Sequence, residues 1–274
     1  MISPGISGSC LPYLRDQVMS QITCVAHKTR TQALARLCLP VCLLLSYHVW
    51  AAPLPIDLFI IDAPPLTLVD DAKGHGILGD AALMAIAKAG YAAHIQVLPW
   101  ARSQKYVSEK QDLLIAPLSR TPEREDHFTW IAPIMSMGRA FFSLEHRVSS
   151  FAEAKRIYHV IGVGLGSAQE EILRAQGFSD KQIHPLTIGE NPAQMLLKGR
   201  IDAWFNGVPE SQYIWSRVSS RKLLMSPALS TIDLYLACSK QCSAEQVHAL
   251  REAIEALRRD GTLARIQKEY LSQQ

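Results

Sequence analysis

Twice in succession, strand-like apolar runs in this chain hand over to helix-like segments, and that repeated alternation constrains the fold more than any single motif. The first set reads as strand over 56–61, helix over 81–89 stopped by Gly90, strand over 94–98, helix over 102–110 and strand over 112–118. A second set runs from a strand over 159–163 through a helix opened at Ser167 and closed by Gly177, then a strand over 183–188. It ends with a helix opened by Asn191-Pro192, stopped at Gly199, and a strand over 201–205. Glycine stops and Ser or Asn starts are the punctuation that helices need. Alternating strand and helix implies parallel sheets covered on both faces, and two such sets imply two α/β lobes.

The chain crosses between the sets twice, through apolar runs over 139–144 and 231–237. After the second crossing, Ser243-Ala244-Glu245-Gln246 has the spacing of a capping box and opens an amphipathic helix reaching Gly261. Two crossings make a hinge, and a cleft between hinged lobes suits the enclosure of a small molecule.

Chemistry concentrates where the first set ends. The run Leu118-Ser119-Arg120-Thr121-Pro122-Glu123-Arg124-Glu125 follows a buried strand and precedes Phe128, Trp130 and Pro133. Thr121 suits a helix N-cap and Pro122 the first helical position. Arg124 then falls in the first turn, where a guanidinium beside free backbone N–H groups forms a site for a carboxylate-sized anion. A plain capped helix with Arg124 in a surface ion pair is the competing reading of the same residues.

This run resembles the family 3, amino-acid-type periplasmic solute-binding proteins, in which a strand ending in a hydroxyl residue runs into Thr-x-x-Arg and then an aromatic residue and a proline. Other segments resemble that family in the same order: Ala63-Pro64-Pro65-Leu66-Thr67, the helix between Gly79 and Gly90, and Pro99-Trp100-Ala101-Arg102. The series continues with Gly162-Val163-Gly164-Leu165-Gly166-Ser167, then Gly199-Arg200-Ile201-Asp202-Ala203-Trp204, and ends with Asp260-Gly261-Thr262-Leu263 through Tyr270. The resemblance spans about everything after residue 53. It implies the type II, two-lobed periplasmic-binding-protein fold, with lobe one at 52–138, lobe two at 139–236 and a return to lobe one at 237–274. It also implies a monomer that delivers a small ligand to an ABC permease of the inner membrane, with no cofactor.

Residues 1–51 read as a leader. Lys28, Arg30 and Arg36 with His27 form a basic region, 37–47 is apolar, and Val49-Trp50-Ala51 offers a small-x-small cleavage pattern. The apolar run contains Pro40 and falls short of the roughly 20 residues a membrane span needs, so the reading is export to the periplasm with cleavage after Ala51. Setting the leader aside lowers the basic residues from 28 to 24 and the acidic from 25 to 24. A neutral mature chain gives no support to nucleic-acid binding. Four of the six cysteines leave with the leader, and the remaining Cys238 and Cys242 are expected to form a disulfide in an oxidising compartment.

Within the cleft, Arg124 is the expected clamp for a ligand carboxylate, and the resemblance assigns Ser119 to the same group, although a plain turn role fits it equally. The glycines of 162–166 do not match the Gly-x-Gly-x-x-Gly dinucleotide pattern and are read as letting backbone N–H groups approach an anion. Ser167 with Glu170 fits a capping box, which would turn its hydroxyl toward the backbone. Trp100 and Arg102 lie past the carboxyl end of a strand, where open α/β sheets place binding groups. They are expected as an apolar wall and a second anion contact. One departure stands out. Members of the family carry an acidic residue shortly after the Gly-Arg-Ile-Asp-Ala segment to hold a ligand ammonium, whereas here the chain reads Trp204-Phe205-Asn206-Gly207-Val208. Asp202 is read as structural and Glu210 as too far along, which leaves Asn206 in the ammonium position and favours ligands without an ammonium group.

The leading function is therefore capture of a small carboxylate-bearing solute, without catalysis. An enzyme of the cyclohexadienyl dehydratase kind, with Glu210 or His127 as general acid, and a ligand-sensing domain are the alternatives. Neither a nucleophile-elbow nor a His-Glu-x-x-His pattern occurs.

Overall fold

A computed structural model describes residues 52–69, 74–189 and 191–272. The leader and its cleavage after Ala51 lie outside the described residues. The strands are β1 (Leu54–Ile60), β2 (Tyr91–Val97), β3 (Leu114–Ser119), β4 (Phe128–Ser143), β5 (Ile161–Gly164), β6 (Ile183–Leu186), β7 (Ala203–Gly207), β8 (Leu224–Met225) and β9 (Ser230–Ser239). The helices are α1 (Gly76–Lys88), α2 (Trp100–Glu109), α3 (Phe151–Ile157), α4 (Ala168–Ala175), α5 (Asn191–Leu197), α6 (Val208–Val218), α7 (Ala244–Arg259) and α8 (Thr262–Leu271).

The expected alternation is present in both sets, but the sheets are not purely parallel. One nine-stranded sheet runs in the order β2-β1-β3-β9-β4-β7-β5-β6, with β8 on β4. The pairs β1/β2, β1/β3, β5/β6 and β5/β7 are parallel, whereas β9 pairs antiparallel with β3 and β4, and β4 antiparallel with β7. The cause is the crossing strands. Each leaves one parallel set and enters the other, so together they join the two sets at the centre of the sheet.

Both faces of β1 are covered, as the continuous apolar run requires. Leu58 and Ile60 pack with Leu78, Ala82 and Ile86 of α1 and Leu250 and Ile254 of α7, while Phe59 packs on the other face with Trp100 and Val107 of α2. Ser243 caps α7 by accepting from the Gln246 N–H, as the capping box anticipates. In the second half, alternation along β4 sends adjacent phenylalanines to opposite faces. Phe141, opposite Phe205 with ring centroids 4.7 Å apart, packs with Tyr158 and Phe178; Phe142, opposite Trp204, packs with Ile214 and Trp215. Cys238 at the end of β9 and Cys242 before α7 form the expected disulfide. Asp202 accepts from the backbone N–H groups of His159 and Val160, a structural role as read.

Candidate functional site

The sheet brings the end of β3, the middle of β4 and the starts of α2, α4 and α6 around one small cavity of about 50 Å³. Trp100, Ser119, Arg124, Arg139, Ser167, Gln169 and Glu210 supply its polar and aromatic lining, with Ala63, Leu66, Met137 and Leu234 among the apolar remainder. Ligand pockets usually enclose roughly 300–1,000 Å³. In this structure the cleft is therefore closed down to less than the volume of an ordinary ligand pocket.

Arg124 lies in a short 3-10 helix, Pro122–His127, whose N-terminal Pro122 and flanking Thr121 are where the cap argument places them. Thr121 does not cap with its side chain, because its hydroxyl donates to Glu171 Oε2 at 2.7 Å. The residue is 5% exposed, and four of its five guanidinium N–H groups are engaged on the protein. Its Nε and Nη2 donate to Glu171 Oε1 at 2.9 and 2.5 Å, Nη2 also to Gly166 O at 3.2 Å, and Nη1 to Ser119 O at 3.4 Å. Burial pulls its pKa below the usual arginine value, opposed by the Glu171 charge. The clamp thus holds a carboxylate of this chain, carried by α4.

The same contacts join the two halves of the sheet. Gln104 of α2 donates to Gly166 O at 2.8 Å, and Gly166 itself approaches α2 closely. It has φ of +68°, and a Cβ there would lie 2.9 Å from Ala101 Cβ, so only glycine fits both the backbone and the gap. The turn's N–H groups were expected to meet an anion. Instead Leu165 N–H donates to Leu186 O, Gly166 N–H to Glu170 Oε2 and Ser167 N–H to Gly164 O. The capping box does not form, because Glu170 takes the N–H of Gly166 in place of that of Ser167, and the Ser167 hydroxyl is buried without a partner among the described residues.

Arg139, part of the run taken only as a crossing, is the residue that sequence reasoning missed. It is fully buried in β4 and lines the cavity. Its Nη2 donates to Ser119 Oγ at 2.6 Å and Nη1 weakly to Met137 O at 3.4 Å, while Nε has no partner. Burial lowers its pKa to about 10, partly offset by Glu210. The signal available in the sequence was an arginine at the head of an apolar strand, since buried charge is rare unless paired.

Glu210 lines the cavity from the first turn of α6, and no hydrogen bond or ion pair reaches its carboxylate from a described residue. Burial pushes its pKa up to about 7, against the pull of Arg139. A Cβ built on Gly207 would collide with Glu210 Oε2 and with Met137 Sδ. The carboxylate therefore fills the space of the side chain that position 207 lacks, which overturns the expectation that the cleft has no acidic group there.

Two other expectations are corrected. Arg102 is exposed on α2 and does not line the cavity; two residues past Trp100 it points about 200° around the helix from that face. Asn206 is buried but does not line the cavity either, because its amide is held by Gln169 Nε2 at 2.7 Å and donates to Ser211 Oγ at 3.3 Å. It braces Gln169, which does line the cleft. Trp100 lines the cavity and also belongs to the core beneath α2. His127 is exposed and outside the cavity.

A cleft enclosed between two α/β lobes and lined by buried groups of both signs is the architecture of a small-solute receptor. Over residues 59–273 the chain matches the bacterial extracellular solute-binding proteins, family 3, and it belongs to that family. Solved structures with this fold include the P235GK mutant of ArgBP from T. maritima (TM-score 0.69, 15% identity, covering 80% of this chain and 95% of that one). ArtJ, the arginine-, lysine-, histidine-binding protein of Geobacillus stearothermophilus, is similar at a TM-score of 0.69 and 16% identity, over 79% and 94% of the two chains. A histidine kinase sensor domain is similar at 0.72 and 14%, over 80% and 96%. No curated protein sequence matches the chain. Among the described residues, no helix is long and apolar enough to cross a membrane.

Proposed function

We propose that this chain is a periplasmic receptor that captures a small polar solute carrying a carboxylate and presents it to an ABC-type permease. In this reading 52–138 with 237–274 forms one lobe, 139–236 the other, and the monomer closes about the two crossings. One observation carries it: the enclosed cleft presents a buried guanidinium, Arg139, and a buried carboxylate, Glu210, whose hydrogen-bonding capacity the protein itself leaves unfilled. Ser119, Ser167 and Trp100 complete the lining, and Arg124 stands at its edge with Glu171. The presence of Glu210 widens the ligand class from simple carboxylates to zwitterions, in keeping with the amino-acid-binding neighbours. A thermal-shift screen of amino acids and of their deaminated acids tests this. A ligand at 100-fold its Kd adds about 2.7 kcal/mol of stability, and a flat response across both sets would overturn the reading.

A second reading has a specific observation behind it. A carboxyl titrating at about 7 in a closed cleft suits a general acid, so Glu210 would protonate a hydroxyl that departs as water from a carboxylated ring, while a neighbouring proton, or the carboxylate as CO2, departs and leaves its electron pair in the new double bond. Incubation with such acids, monitored for loss of water by mass spectrometry, separates the two. Turnover that disappears in Glu210→Gln would favour the enzyme.

A further inference from the structure

The two buried arginines differ in what they have left to offer. Of the five N–H donors of Arg124, four reach protein acceptors, and three of those contacts are to residues of the opposite half, Glu171 and Gly166. Arg139 uses two donors, one of them weakly, and its Nε is orphaned in the interior. A buried donor without an acceptor is costly, and a buried cation more so. An anion arriving at Arg139 relieves that cost, whereas one arriving at Arg124 must first evict Glu171.

We propose that Arg139, not Arg124, receives the anionic group of the solute, and that Arg124 with Glu171 is the tie that holds the cleft shut. The inference rests on the solute-binding reading above. Three further features agree with it. Ser119 is fixed between the two guanidiniums, its carbonyl on Arg124 and its hydroxyl on Arg139, so the strand end that the family motif marks serves both. The Arg124 contacts form part of a larger seam between the halves, with Thr121 on Glu171 and Gln104 on Gly166. Charge is balanced pairwise, with Glu171 opposite Arg124 and Glu210 near Arg139 but beyond ion-pair distance. A zwitterion bridging Arg139 and Glu210 preserves that balance with both groups ionised, whereas a simple anion preserves it only with Glu210 protonated. The ligand class that satisfies both groups as ions is a small α-amino acid or a compound of the same charge pattern.

The test compares Arg124→Gln, Glu171→Gln, their double variant, Arg139→Gln and Arg139→Lys. The probes are the twenty common amino acids, ranked by thermal shift on the wild type, with calorimetry on the strongest. Arg139→Gln should weaken binding by about 30-fold or more, the loss typical of removing one partner from a buried charge contact. Arg124→Gln and Glu171→Gln should each weaken it by a similar and smaller factor, and the double variant by no more than either, since both remove one tie. Strong loss in Arg124→Gln with unchanged or tighter binding in Glu171→Gln would overturn the proposal, making Arg124 the ligand clamp and Glu171 its competitor. So would wild-type affinity in Arg139→Gln. If Arg139→Gln does not fold, Arg139→Lys must still weaken binding at least tenfold, because an ammonium lacks the planar fork, and the Arg124–Glu171 comparison decides independently. Small-angle scattering of the ligand-free proteins separates this inference from the reading beneath it. Should no amino acid bind the wild type, the solute assignment fails, yet the tie still stands if Glu171→Gln expands the particle and falls if its scattering is unchanged.

Discussion

The two sides of the cleft carry opposite charge. The β3 side presents a cation, Arg124, while the side built on β4, β5 and β7 carries two carboxylates, Glu171 and Glu210, against one cation, Arg139. Their cores differ as well. The β1–β3 side is aliphatic, built on Leu, Ile and Ala from α1 and α7, whereas the β5–β7 side is organised around aromatic rings on Phe141, Phe142, Trp204 and Phe205. Arg124 and Glu171 thus join unlike charges across the cleft, and in a space with little water such attraction is far stronger than at the surface. The anionic side rests on ring packing that is intolerant of lost volume.

The sharpest break in this contrast is Phe141→Ala. The ring sits against Phe151, Tyr158, Phe178 and Phe205, so its loss should cost about 3–5 kcal/mol, measured by urea unfolding. If the two sides unfold separately, the variant should show a split transition; a single shifted transition would mean that the shared sheet makes them one cooperative unit. Next in size is Glu210→Gln. A carboxyl raised from the ordinary 4.5 to about 7 in the fold holds its proton more tightly when native. Wild-type stability should fall as pH rises from about 4.5 to 7, by an amount on the order of 3 kcal/mol, and stay level above. Denaturant titrations at pH 5 and pH 8 should lose that difference in Glu210→Gln.

Reduction of the Cys238–Cys242 disulfide closes the list on the cationic side, at about 2 kcal/mol by loop-closure entropy, with ligand affinity unaltered because neither cysteine lines the cleft. The smallest effect is expected from Gly166→Ala. Left-handed strain of about 1–2 kcal/mol adds to a Cβ crowding Ala101. Weaker ligand binding with an unchanged core, read as a Kd shift against a constant unfolding slope, would place that glycine in closure.

Much of the fold was legible because periodicity and caps are local. The strand–helix alternation, the Ser243 cap, the disulfide and the structural role of Asp202 all follow from nearby residues. The mixed sheet was not, since the antiparallel pairing of β4 with β9 joins residues 91 to 111 apart in the chain. At the site, Trp100, Ser119, Arg124 and Ser167 reached the cavity as read. Arg102 did not, because two residues past Trp100 it stands about 200° around α2. Asn206 was diverted by Gln169, a partner no spacing rule announces. Arg139 was hidden by its apolar neighbours in sequence, and Glu210 by its place on a separate element, in the first turn of α6, from which it reaches back to the space beside Gly207.

That displacement from Gly207 to Glu210 has a mechanical side. A carboxylate fixed on a strand stands at one height above the sheet, but a glutamate at the start of α6 reaches its station through three rotatable bonds and from a backbone that belongs to a different element. Its negative charge is thus mounted on a pliable arm. In the solute-binding reading proposed above, solutes of unequal length would meet the same charge without the sheet giving way, and discrimination among them would fall to the apolar wall.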